Sequence, residues 1–324
     1  MPPLINCALT LSLLLCAAHA QLPVRTTPAP GTPRPFFTTT PKPLGAPGAA
    51  GNPQPPREGP LAEKPLEALT NKEMGADGVK ALSIEPGKWK HAETENFILH
   101  YRRATEAQKV AREVEYNLWH VATVLGATRD RYARKSHVFV FEDEEEWRKF
   151  KGLLGNAGLA WAASFAVGDE LFLNVRGGGG QGFDSQTLAH ETTHAVVARL
   201  FPRKRWPLWL NEGFAEYMGG ASVAARKGQS GKRYQRVLDK AELPLAEMEA
   251  MTVYPADEAV VGQLYQTSEK FVRFLMNELP KDRIVKFIDA VLDGRGMQAA
   301  VLEVYGDKVK DWDAFMKRYE RFSK

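Results

Sequence analysis

The chain has 324 residues, 44% hydrophobic and 25% charged, the balance of a globular protein with length enough for a sizeable core. A formal net charge of +4 is small for that length and gives no basis for nucleic acid as a partner. No apolar run beyond the N-terminal segment reaches membrane-spanning length, so no transmembrane segment is expected after it.

Leu4 to Ala18 is an apolar run of signal-peptide length, and Ala18-His19-Ala20 places small residues where a signal peptidase reads. Residues 1–20 therefore read as a cleaved export signal, although no Lys or Arg precedes the apolar run. The alternative is a lipoprotein signal ending at Cys16, against which Leu15 counts. Export implies a secreted or periplasmic protein. Both cysteines, Cys7 and Cys16, lie inside the signal, so the mature chain is expected to hold its fold without disulfides.

Residues 21–80 read as a Pro/Thr/Gly-rich linker. Thirteen of the 21 prolines fall between Gln21 and Pro65, with too few large apolar side chains to offset the entropy of ordering. Such a stretch is an extended spacer rather than a docking motif. The globular domain is expected over 81–324. Within it Phe97–Tyr101 reads as a strand, Glu106–Leu125 as a helix and His137–Phe141 as a second strand. An acidic helix start follows at Glu142–Phe150. Ala160–Val167 and Glu170–Val175 read as strands joined through Gly168-Asp169, and from Asp184 onward the pattern is helical. Strands first and helices after predict an α+β domain.

The chemistry concentrates in Leu188-Ala189-His190-Glu191-Thr192-Thr193-His194. Asp184 or Ser185 can cap this helix and Pro202 lies past its end. Two histidines four apart sit on nearly one helical face, about 6 Å apart along the axis, from which both imidazoles can reach one zinc ion. Glu191 points to the side of the pair, where it can contact a zinc-bound water and act as a base without being a ligand. Alone, the motif also fits two packing histidines on an ordinary helix. A second segment adds weight: Trp209-Leu210-Asn211-Glu212-Gly213-Phe214-Ala215-Glu216-Tyr217, with Pro207 suiting its first turn and Gly219-Gly220 marking its expected end. Glu212 and Glu216 share one face among large apolar residues, and buried carboxylates need a partner such as a metal with its histidines.

Together these two segments resemble the gluzincin zinc metallopeptidases. The second is closest to the aminopeptidase branch and more distantly similar to thermolysin. The resemblance covers Glu170 to about Leu279, a third of the chain, and implies a zincin-like domain holding one Zn2+. It implies that Glu212 is the third ligand and that Glu216 hydrogen-bonds a ligand histidine to fix its tautomer. It further implies that Tyr265, some 50 residues after Glu212, donates to the tetrahedral oxyanion; a core or surface tyrosine is the plain alternative. It also makes Glu170–Val175 the candidate strand for pairing with an extended peptide. Val197 and Leu200 stand where a metzincin needs Gly and His, which excludes that branch. No Gly-x-Met-Glu-Asn segment is present to grip a free α-amine, so endopeptidase action on a peptide or protein substrate is expected. A zinc-containing scaffold without turnover and a zinc hydrolase of a non-peptide amide are the alternatives.

Three other features carry less. Gly177–Gly182 contains Gly-x-Gly-x-x-Gly, but its following helix belongs to the metal motif and no acid sits about 20 residues on, so a dinucleotide site is rejected for a mobile loop. His91, His100, His120 and His137 lack metal-ligand spacing to one another and read as ordinary surface or core residues. Arg199, Arg203, Lys204 and Arg205 suit a helix C-terminus and solvent.

Overall fold

A computed structural model describes residues 59–155, 162–176, 183–228 and 242–322. The expected signal, with Cys7 and Cys16, most of the linker and the Gly177–Gly182 loop lie outside the described residues.

Six strands form one mixed sheet: β1 (Glu63–Lys64), β2 (Lys90–Glu93), β3 (Phe97–Tyr101), β4 (Ser136–Phe141), β5 (Ser164–Val167) and β6 (Glu170–Asn174). Their order across the sheet is β1-β2-β3-β4-β6-β5. β1, β2 and β3 pair antiparallel, β3, β4 and β6 run parallel, and β5 returns antiparallel on β6. Helix α2 (Ala104–Val124) makes the crossover from β3 to β4. The Gly168-Asp169 turn closes the β5–β6 hairpin, with Gly168 at φ 60°, a conformation glycine adopts without the steric cost a Cβ brings.

Strand alternation explains why the sheet is buried on both sides. Val138, Val140, Leu171 and Leu173 face α2 and the large helical core. Phe139, Phe141, Phe165 and Phe172 face the other way, onto α1 (Ala76–Ser83) and α3 (Glu144–Leu154). There Phe139 and Phe172 stack with centroids 4.9 Å apart, and Phe150 of α3 stacks on Phe172 at 5.2 Å. Asp143 caps α3, accepting from the amides of Glu145 and Glu146.

The helical layer contains α4 (Ser185–Leu200), α5 (Leu208–Arg226), α6 (Leu245–Ala250), α7 (Glu258–Glu278), α8 (Ile284–Leu292), α9 (Met297–Tyr305) and α10 (Trp312–Arg321). α4 lies between the β5–β6 side of the sheet and α5, and α5 lies between α4 and α7. α4 and α5 are buried nearly all round, as central helices with apolar residues on every face must be. The class is α+β, as the sequence predicts. Among the described residues no helix is long and apolar enough to cross a membrane.

Four expectations need correcting. Ordered structure begins before residue 81, because β1 joins the sheet and α1 packs on its aromatic face. The polar, proline-bearing composition of this stretch hides it: it is held by pairing with the sheet more than by a core of its own. α5 does not end at Gly219-Gly220 but continues to Arg226. A Cβ on Gly219 would lie 3.0 Å from the Gln186 carbonyl oxygen and 3.5 Å from His190 Cβ, so this glycine serves close helix packing rather than termination. The strand Glu170–Val175, the candidate for pairing with a peptide, has no free edge: β6 is paired with β4 and β5, and β5 is the edge strand on that side. Finally, Arg199 is not part of a solvated cluster. It is buried and donates to the carbonyls of Asn96, Tyr132 and Arg134, tying the end of α4 to the loops at the start of β3 and β4. Arg203, Lys204 and Arg205 are exposed as expected.

Candidate metal centre

Asp184 caps helix α4, its carboxylate accepting from the Thr187 amide at 2.7 Å and the Thr187 hydroxyl at 2.8 Å. From that start His190 and His194 come round to the face that meets α5. The intervening Thr192 and Thr193 are buried, and their hydroxyls are satisfied within the helix by the carbonyls of Leu188 (2.7 Å) and Ala189 (2.8 Å).

The Nε2 atoms of His190 and His194 lie 2.9 Å apart, and Glu212 Oε2, from α5, is 3.5 Å from each. These three donors form the only group among the described residues that could hold a metal ion. The fit can be tested on the donor set itself. A tetrahedral site with bonds of about 2.0–2.1 Å has ligand atoms about 3.3–3.4 Å apart, close to the separations seen. Two nitrogens and a carboxylate oxygen are also the ligand types of catalytic zinc. The residues fit.

Glu216, one turn beyond Glu212, places Oε1 3.3 Å from His190 Nδ1, so a proton on Nδ1 leaves Nε2 with its lone pair toward the other donors. Burial opposes charge on His190, but the carboxylates of Glu212 and Glu216 outweigh it and raise its pKa well above the usual value. Glu191 is buried beside the histidines. Burial pushes its carboxyl up to about 7, with Glu212 adding to the rise, while the two histidines and the Ala166 amide of β5 oppose it. Its Oε2 has no hydrogen-bond partner among the described residues. The edge strand thus touches the carboxylate expected to act as base.

Tyr265 lies on α7, buried, with its ring centroid 6.1 Å from that of His190. All six residues singled out in the sequence, His190, Glu191, His194, Glu212, Glu216 and Tyr265, therefore converge on one buried centre. One neighbour was missed. Tyr254, in the segment between α6 and α7, donates to Glu212 Oε1 at 2.7 Å and shares a hydrogen bond with the Tyr265 hydroxyl. No local signal marks it: Val253-Tyr254-Pro255 reads as a connection, and only the fold brings it 42 residues back onto α5.

His91, His100 and His137 lie elsewhere. His91 Nδ1 is 2.8 Å from His100 Nδ1, and His100 Nε2 is 2.9 Å from His137 Nδ1, a chain across β2, β3 and β4 on the aromatic face. Spacing along the sequence cannot show this contact, which is made by strand pairing.

No protein-family model, curated protein or solved structure matches the chain.

Proposed function

We propose that the protein is an exported zinc metallopeptidase that hydrolyses internal peptide bonds, on a zincin-like domain. The observation that carries this reading is the convergence of His190, His194 and Glu212, with Glu191 buried beside them but outside the ligand set. Three protein ligands rather than four leave a coordination position open, which is the pattern of catalytic rather than structural zinc. Export rests on the apolar run Leu4–Ala18 and the Ala18-His19-Ala20 site.

When bound by these residues, zinc supplies Lewis acidity toward a water molecule and a scissile carbonyl. His190 and His194 present Nε2, and Glu216 orients the first of them through Nδ1. Glu191 takes the proton from the attacking water and passes it to the leaving amine, a task suited to a carboxyl whose pKa stands near neutrality. Tyr265 donates to the developing oxyanion. The edge strand β5, touching Glu191 through Ala166, is where an extended peptide can pair its backbone.

Glu191→Gln tests the assignment of the base. It preserves shape and the ligand set while removing the proton acceptor. Turnover should fall by at least about a thousandfold, at the strong end of general-base effects, with one zinc still bound per chain. Cleavage at the wild-type rate by the zinc-loaded variant would remove Glu191 from the mechanism.

A further inference from the structure

Glu212 has two oxygens in different surroundings. Oε2 faces the histidines at 3.5 Å from each Nε2. Oε1 faces away, accepting from the Tyr254 hydroxyl at 2.7 Å and lying 3.2 Å from Asn211 Nδ2. The side chain is fully buried, so neither oxygen can turn to bulk water. A carboxylate free to rotate about its last bond presents either oxygen, or both, to a cation. A carboxylate with one oxygen fixed presents the other.

We infer that Tyr254 is a positioning residue for the metal, holding Oε1 of Glu212 so that Oε2 alone is directed at the ion. The inference rests on the metal-centre reading above and assigns a division of labour within it. A phenol has one proton to give. Tyr254 gives its proton to Glu212 and accepts from Tyr265 with its oxygen. Tyr254 is therefore committed to the ligand carboxylate. Tyr265 is the tyrosine whose proton can be redirected toward a reacting group without releasing Glu212. The two rings lie nearly parallel, 20° between planes with centroids 6.4 Å apart, so the pair is packed as a unit.

The position of Tyr254 in the chain matters as much as its hydroxyl. It lies outside both helices that supply the ligands, so the connection between α6 and α7 contributes to an α4–α5 metal site. Groups that hydrogen-bond a ligand typically change metal affinity about 10- to 100-fold when removed.

The test is Zn2+ affinity, measured by competition with a chromophoric chelator on the full chain, for the wild type, Tyr254→Phe and Tyr265→Phe. Melting without zinc reports folding for each. Tyr254→Phe should bind Zn2+ about 10- to 100-fold more weakly, and Tyr265→Phe within about twofold of wild type. Equal affinity in Tyr254→Phe and wild type overturns the inference while leaving the metal centre intact, as does an equal loss in Tyr265→Phe. A wild type that binds no Zn2+ overturns the metal centre and this inference together. If Tyr254→Phe does not fold, Tyr254→Met, which also lacks the hydroxyl and fills the space flexibly, is measured against the same two outcomes.

Discussion

His120 is half-buried on α2, its Nδ1 enclosed with no hydrogen-bond partner among the described residues, and this burial lowers its pKa to about 4. His137, at the end of the three-histidine chain, is lowered to about 4 chiefly by burial, and His100 stands well below its usual value for the same reason. An unfolded histidine titrates near 6.5. Below that pH the unfolded chain binds protons that the folded chain refuses. The stability contributed by the neutral ring is therefore complete above about pH 6.5 and is lost as pH falls toward about 4. Each such histidine costs about 1.4 kcal/mol per pH unit in this window. Urea unfolding at a series of pH values should show this, and His120→Gln should remove about 2 kcal/mol of the loss between pH 6.5 and 5. Identical pH dependence in the two proteins would show that His120 does not titrate in this window. At this scale the sequence distinguishes His190 and His194 because helix geometry makes a spacing of four meaningful. It says nothing of His91, His100 and His137, whose contact depends on which strands pair.

At the scale of elements, two glycines set how closely the helices of the metal centre approach. Gly219 brings α5 against α4 at His190, and Gly213 brings it against α7 at Ser268. A Cβ on Gly213 would overlap the Ser268 carbonyl oxygen and lie 2.6 Å from its carbon, backbone atoms that cannot turn aside. Gly213→Ala should therefore destabilise the protein by about 3 kcal/mol or more, despite alanine's better helix propensity. It should also weaken Zn2+ binding, since Glu212 adjoins the displaced contact. Thermal unfolding with and without Zn2+ checks both effects, and an unchanged or raised midpoint would show that α5 and α7 can separate without cost. Such glycines are ambiguous in sequence. Gly219-Gly220 looks like a helix stop, and only the packing of α4 shows it to be a contact surface. The hairpin at Gly168-Asp169 was legible because a turn is local. The edge position of β5 was not, because strand order is set by the β4–β6 pairing.

At the scale of the whole molecule, the sheet is a platform with different work on its two faces. One face rests on the aromatic layer with α1 and α3, and the other supports α4, whose buried side meets α5, which in turn packs on α7. The N-terminal strap from residue 59 fastens the platform. Glu63–Lys64 extends the sheet beside β2, and the Gly75 amide donates to the buried carboxylate of Glu170 on β6 at 2.7 Å. The strap's polar, proline-bearing sequence reads as linker, whereas its order comes from partners far along the chain. The α+β class and five residues of the centre are legible because apolar patterning and the two helical motifs are local, whereas Tyr265 enters only through the resemblance. The proposed activity is a property of the assembled molecule. It is tested most directly by incubating the purified chain with a diverse peptide library, with and without a zinc chelator, and reading the products by mass spectrometry. The account predicts cleavage at internal bonds that stops when zinc is removed and returns when zinc is restored. Cleavage that persists in the fully zinc-free protein, or a zinc-loaded protein that cleaves no peptide, would contradict it.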